Sequence, residues 1–336
     1  MSSPPPPPAG IEPSLWNQIL HIRTGCYPNL LPGLPNDYGY RPSLGAGIAF
    51  DVLFGLALIG HVIQAIRFRR WTSILFAIGA LSTLSLPFYL QLCNLAVMLT
   101  SISFIAEAIG WAGRTWNAKC PYNHDAFLMQ ITTLIIAPTF FAAGLYVLLG
   151  ILINQLGPQT SSLSPSHYAI IFCTCDVISL VVQAIGGALA ARATLEVNGD
   201  SSTGTHIMVA GIAFQLFTMS IFALLVVDFL RRARGLVIKR PIKLVLIGLF
   251  VAFLMIYIRS IYRTIELAEG WTGFLITHEG YFIALDATLM VITVTVFLLL
   301  DPAVLLREES VSWEAGDRKV HEQKHLLSWF QVAKRT

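Results

Sequence analysis

Between Leu44 and Leu300 the chain alternates long apolar stretches with short polar connections, and this pattern points to an α-helical bundle in a membrane. The stretches are Leu44 to Ile66, Thr72 to about Trp111, Ala126 to Ile153, Tyr168 to Ala190, His206 to Leu230, Leu244 to Ile265 and Gly280 to Leu300. A hydrocarbon core about 30 Å thick is crossed by about 20 helical residues. Inside it no water satisfies a backbone N–H or C=O, so each crossing has to carry its own hydrogen bonds as a helix. Composition agrees: 55% of the residues are hydrophobic and 12% charged, against about 25% charged in a soluble domain.

The ends differ in character. Residues 1–43 form a Pro- and Gly-rich tail whose proline run, Met1 to Gly10, has neither the basic stretch nor the apolar core of a cleavable signal, so the first span is expected to do the targeting. Residues 301–336 are polar and mixed in charge; within them His321 to Arg335 carries Leu326, Leu327, Trp329 and Phe330 among basic residues, as a disordered tail or as a segment on the membrane surface. The net charge is only +3, and its basic clusters bear on orientation rather than on nucleic acid.

Two connections are rich in Lys and Arg: Arg67, Arg69 and Arg70, then the run from Arg231 to Lys243. Short basic loops stay cytoplasmic, so both are expected on the same side. That holds if residues 72–111 cross once, and fails if they cross twice. The expected fold is therefore a seven-transmembrane helix bundle with an extracellular amino terminus and a cytoplasmic carboxyl tail. Ser82 to about Ala106 is then surplus chain: re-entrant, interfacial or part of an overlong tilted helix. Pro87 and Pro138 interrupt the apolar runs, and each removes a helix hydrogen bond. Gly186 with Ala190 and Gly187 with Ala191 are spaced for close helix approach.

Charge inside the apolar runs is the functional signal. Glu107, Trp111 and Arg114 share one helical face near the end of the second run; Arg259, Arg263 and Glu266 share another in the sixth. One unpaired charge at the bilayer centre costs about 2.5 to 3.5 kcal/mol, so these groups have to pair or line water.

Tyr38-Gly39-Tyr40, Pro42-Ser43 and the segment from Glu107 to Arg114 resemble the fungal lipid-translocating exporter family, first associated with aminocholesterol resistance. The resemblance continues in order through Ala137-Pro138, Ala142-Ala143, Tyr146, Asp176, Gln183, Gly186-Gly187, Gly211, Gln215, Arg259, Tyr262-Arg263, Glu266, Gly270, Glu279, Tyr281, Asp286 and Pro302. It implies a seven-helix protein with its amino terminus outside, exporting sphingoid long-chain bases and giving tolerance of amphiphilic toxins, most naturally from the plasma membrane. The chain departs from the family by an insertion between Arg70-Trp71 and Glu107, around Ser82 to Ala106, which is either an elaboration or a retained intron.

With that orientation, Glu107, Arg114, Arg259, Arg263, Glu266, Glu279, Asp286 and Asp51 gather in the outer half. Glu107, Arg114, Arg259 and Arg263 read as a salt-bridge network, because Arg holds carboxylates bidentately. A long-chain amphiphilic amine needs a carboxylate, hydroxyl-bonding groups and an apolar slot. Glu266, Glu279, Asp286 and Tyr281 offer these as an outward-facing head-group pocket. The same residues also read as a lock between spans.

Asp176 and Gln183 share a face of the fourth span, with Asp176 nearer the cytoplasm and far in sequence from any base; it is a candidate for a proton or a substrate amine, or a satisfied hydrogen-bonding residue. Gln215 reads as a contact between helices. Cys26 and Cys120 are both expected outside, as a disulfide or as free thiols. No Gly-rich nucleotide loop occurs, and His61, His206 and His278 have no metal-motif spacing, so neither an ATPase, a zinc hydrolase nor any cofactor is expected. The alternative to a transporter is a seven-helix lipid-sensing receptor, which shares the fold.

Overall fold

The computed structural model describes residues 12–31, 36–67, 88–193, 200–236, 238–271 and 273–300, with 302 and 305; expectations placed on Arg69, Arg70, Pro87 and the tail from 306 lie outside the described residues. Among the described residues the regular structure is entirely helical. In chain order the helices are α1 (Pro13–Thr24), α2 (Leu44–Arg67), α3 (Phe88–Lys119), α4 (His124–Leu156), α5 (Pro165–Ala193), α6 (Ser202–Ala233), α7 (Arg240–Ala268), the single turn α8 (Phe274–Thr277) and α9 (Glu279–Leu299). Six of these, α2, α4, α5, α6, α7 and α9, are long and apolar enough to cross a bilayer. α3 is 32 residues long and packs between α2 and α4; its residues 88–106, expected as surplus chain, continue without a break into the Glu107 to Arg114 segment.

Helix ends follow local chemistry. Asn123 caps α4 by accepting from the Ala126 N–H at 2.9 Å, and Gly157, at φ 103°, stops it. α5 starts on Pro165, where a missing N–H costs nothing. α7 ends before Gly270, which takes φ 81°.

α4 is the axis of the bundle. Of its most apolar window 83% is buried, against 22 to 44% in the corresponding windows of α2, α5, α6, α7 and α9. It contacts α3, α5 and α7. The surrounding helices turn Leu56, Ile63, Ile170, Val177, Phe217, Leu224 and Phe250 outward, as a lipid-facing surface requires. Lipid tails are as apolar as leucine, so helix association rests on close packing and polar contacts. Between α5 and α6 the packing is backbone to backbone. A Cβ on Gly186 would lie 2.4 Å from the Met208 nitrogen, and one on Gly204 would lie 2.3 Å from the Ala190 nitrogen. Gly187, the other small residue of the pair, has only the Met208 sulfur within reach, at 3.8 Å.

Candidate functional site

The buried ionic cluster begins with a helix defect. Pro138 has no N–H, so the carbonyl of Leu134, four residues earlier, has no intrahelical partner. Arg259 of α7 supplies one: its Nη2 donates to Leu134 O at 2.7 Å. Its Nε lies 2.9 Å from Asp286 Oδ1, within ion-pair distance but out of alignment for a hydrogen bond. One turn on, Arg263 Nε donates to the same Asp286 oxygen at 2.7 Å and its Nη1 to Glu266 Oε2 at 2.9 Å; the Tyr262 hydroxyl donates to Glu266 Oε1 at 2.9 Å. Asp286 thus holds two guanidiniums. It sits on a π-helical turn, Ile283–Ala287, inside α9. Such a wide turn is one inserted residue and is frequent at functional sites.

Glu107 closes the cluster from α3. It is 1% exposed and lies beside Arg259, Arg263 and Asp286, yet its Oε1 has no donor, and neither does the Trp111 indole N–H have an acceptor. The salt-bridge role expected for Glu107 is therefore not what the geometry gives. Two guanidiniums face three carboxylates, and Glu107 is the acid left without a bonded cation.

A second ionic layer lies above it. Arg114 Nη2 donates to Glu279 Oε1 at 2.8 Å and to the Tyr40 hydroxyl at 2.8 Å, and the Ser43 N–H donates to the same Glu279 oxygen at 2.9 Å. Glu279, expected among free head-group ligands, is thus committed to Arg114 and the tail. The Tyr38 hydroxyl donates to Gln130 on α4, and Arg41 Nε donates to Ala118 O at 3.0 Å. Burial raises the phenolic pKa of both Tyr38 and Tyr40, with Arg114 acting in the opposite sense, so both hydroxyls stay neutral, Tyr38 donating to Gln130 and Tyr40 accepting from Arg114. Cys26 and Cys120 are joined by a disulfide with Cα atoms 4.6 Å apart, which ties the tail to the end of α3. The ring of Phe282 connects the layers: Arg114 Cζ is 4.5 Å and Arg263 Cζ 5.1 Å from its centroid. Asp51 accepts from Thr115 Oγ1 at 2.6 Å on the flank of this layer.

Tyr281 belongs to neither layer. It is 44% exposed, with its ring 5.7 Å from that of Phe274.

Gln183 does reach the cluster. It lines a cavity of about 30 Å³ with Pro138, Gln215, Ser260, Arg259 and Arg263. Its Nε2 donates to Ser179 Oγ at 2.7 Å and to Gln215 Oε1 at 3.1 Å, while Gln215 Nε2 donates to Thr139 Oγ1 at 3.1 Å. Asp176, two turns away, is buried beside the Tyr146 hydroxyl and remote from both arginines. The partners of the Leu134 carbonyl, Tyr38, Gln130 and Phe282 are not legible in the sequence. Tyr38 stands out there only as part of a motif, and the Leu134 carbonyl only through the proline four residues downstream.

Membrane-length helices closed around a buried ionic cluster define an α-helical multi-pass membrane protein with a polar site inside it. The chain belongs to the RTA1-like family, whose model, described as RTA1 like protein, matches residues 100–309. It is 33% identical over 312 residues to the sphingoid long-chain base transporter RSB1 of Saccharomyces cerevisiae (strain ATCC 204508 / S288c), covering 82% of this chain and 75% of that one. It is 29% identical over 301 residues to Protein RTA1 of the same organism (84% and 90%), and 27% identical over 277 residues to its Protoporphyrin uptake protein 1 (77% and 90%). No solved structure matches the chain.

Proposed function

We propose that the chain translocates sphingoid long-chain bases, or amphiphiles like them, outward across the fungal plasma membrane, and through this gives resistance to toxic amphiphiles. The observation that carries the reading is the excess carboxylate: Glu107, with an oxygen that no donor meets, beside Arg259, Arg263 and Asp286. A sphingoid head carries one ammonium and several hydroxyls. Its ammonium supplies the missing positive charge at Glu107, and its hydroxyls suit the guanidinium and amide groups of Arg259, Arg263, Gln183 and Gln215 that border the cavity. The relative named as a sphingoid long-chain base transporter supports this cargo. About 30 Å³ holds a water or two and not a head group, so loading requires the helices that line it, α4 to α7, to part.

In this reading α3 is the second of seven crossings, the amino terminus is outside, and both basic connections are cytoplasmic. Tags in the connections near Arg67 and Lys239, tested for protease access on intact cells, should be protected together; access to only one of them refutes the topology.

The functional test is movement of labelled sphingoid base across vesicles that contain this protein alone, which separates a transporter from a receptor. Wild type should speed base movement over protein-free vesicles, and Glu107→Gln should abolish the gain while the protein remains folded. Full activity in Glu107→Gln refutes the assignment of the ammonium site, and no movement by wild type refutes transport.

A further inference from the structure

The carboxylate that this mechanism leaves unused is Asp176. It is 1% exposed in the middle of α5, and neither oxygen meets an aligned donor. The hydroxyl of Tyr146, from α4, lies beside it without the alignment of a hydrogen bond. On α5 itself the neighbouring titratable group is the Cys173 thiol, and Cys175 stands near Tyr146. From α6 the neighbour is apolar: Phe222 packs 4.6 Å from the Tyr146 ring, and Phe172 of α5 packs at 5.3 Å. Among the described residues no charged side chain reaches Asp176.

A carboxylate in so dry a place has to take a positive charge from outside the chain. A metal ion asks for several ligands, and among the described residues no three His, Cys, Asp or Glu side chains are placed to hold one. A proton asks for a single oxygen. In the arginine cluster Asp286 and Glu266 are bonded to guanidiniums, and Glu107, the acid left over, is the one assigned to the cargo ammonium. The link between the two places is α5. Asp176, Ser179 and Gln183 form one buried stripe along it; Gln183 donates to Ser179, Ser179 donates to Gly211 O of α6 at 2.6 Å, and Gln183 is also a wall of the cavity bordered by Arg259 and Arg263.

We propose that Asp176, assisted by Tyr146, is the proton-binding site through which a transmembrane proton gradient drives the lipid movement inferred above, a proposal that rests on that transport reading. The step is an acid–base exchange. A proton from water on one side joins a carboxylate oxygen of Asp176, the O–H bond breaks toward water on the other side, and no electrons change hands. The cargo site and the proton site are distinct, and the rigid helix that carries Asp176 and Gln183 couples them.

The test uses the purified full chain in liposomes, with labelled sphingoid base and an imposed pH gradient, against protein-free vesicles. Wild type should be accelerated by the gradient. Asp176→Asn should lose that acceleration while keeping gradient-independent exchange and its melting temperature, and Tyr146→Phe should shift the pH of half-maximal rate. Gradient acceleration that survives in Asp176→Asn overturns the proposal, as does a wild type whose transport ignores the gradient. Should Asp176→Asn not fold, proton flux reported by an entrapped pH dye during base movement decides with wild type and Tyr146→Phe: base-dependent flux altered by Tyr146→Phe supports the site, and its absence overturns it. A wild type that moves no base at all refutes the transport reading instead.

Discussion

Arg259 donates to the carbonyl of Leu134, the acceptor that Pro138 releases four residues downstream. A proline defect in the central helix has thus become a binding position for a guanidinium, and the same arginine borders the cavity. The pairing gives a direct energetic test. Arg259→Gln strands a buried acceptor, at about 1 to 3 kcal/mol. Pro138→Ala restores the amide that satisfies Leu134 internally, so the double variant should recover part of the loss. A double-mutant cycle on melting in detergent should give a coupling of about 1 kcal/mol; strict additivity would show that the proline and the arginine act apart.

Asp286 and Glu107 should separate folding from function. Asp286 holds Arg259 and Arg263 together, and Asp286→Asn leaves both cations with less compensation than a buried pair needs. Breaking such a pair costs about 3 to 5 kcal/mol, so Asp286→Asn should lower expression and melting temperature along with transport. Glu107→Gln, which breaks no ion pair, should melt within about 1 kcal/mol of wild type while losing base transport. Equal melting temperatures for the two variants would contradict the assignment.

The Cys26–Cys120 tether should respond to reductant. Cys26 and Cys120 are 94 residues apart in sequence, and closing so long a loop stabilises by about 2 to 5 kcal/mol. Peptide mapping under non-reducing conditions should recover the linked pair. The Cys26→Ser, Cys120→Ser double variant should melt lower than wild type, and dithiothreitol should erase the difference. Free thiols at both positions would remove the tether from the account.

The seam between α5 and α6 should not tolerate a methyl group. At Gly186 and Gly204 the added carbon would meet backbone, which cannot rotate away. Gly186→Ala or Gly204→Ala should cost at least about 1 to 3 kcal/mol, with Gly187→Ala near neutral as the control. Comparable losses at all three positions would point to helix propensity rather than contact.

Much of the helical layout was legible because apolar length is a strong signal. The run from Leu244 to Ile265 becomes Arg240–Ala268, and that from Tyr168 to Ala190 becomes Pro165–Ala193, each longer because polar flanks prolong a helix that hydropathy ends early. Spacing also placed Arg259, Arg263 and Glu266 on one face. What it did not reveal was partner choice. Glu107 and Arg114 share a face on α3, yet a rise of about 10 Å between them sends one to the inner cluster and the other to Glu279 and Tyr40. Hydrogen bonds from the tail, such as Ser43 to Glu279, join residues 236 positions apart, and no local pattern encodes that distance.

The wide turn at Ile283–Ala287 sets the phase of the whole Glu279 end of α9. One residue fewer there would swing Glu279 and Phe282 by about 100° relative to Thr288–Leu299. Glu279 would then point away from Arg114, and Phe282 would leave the gap between the two guanidiniums. A one-codon deletion in this stretch, silent to any hydropathy plot, would uncouple the tail from the ionic interior.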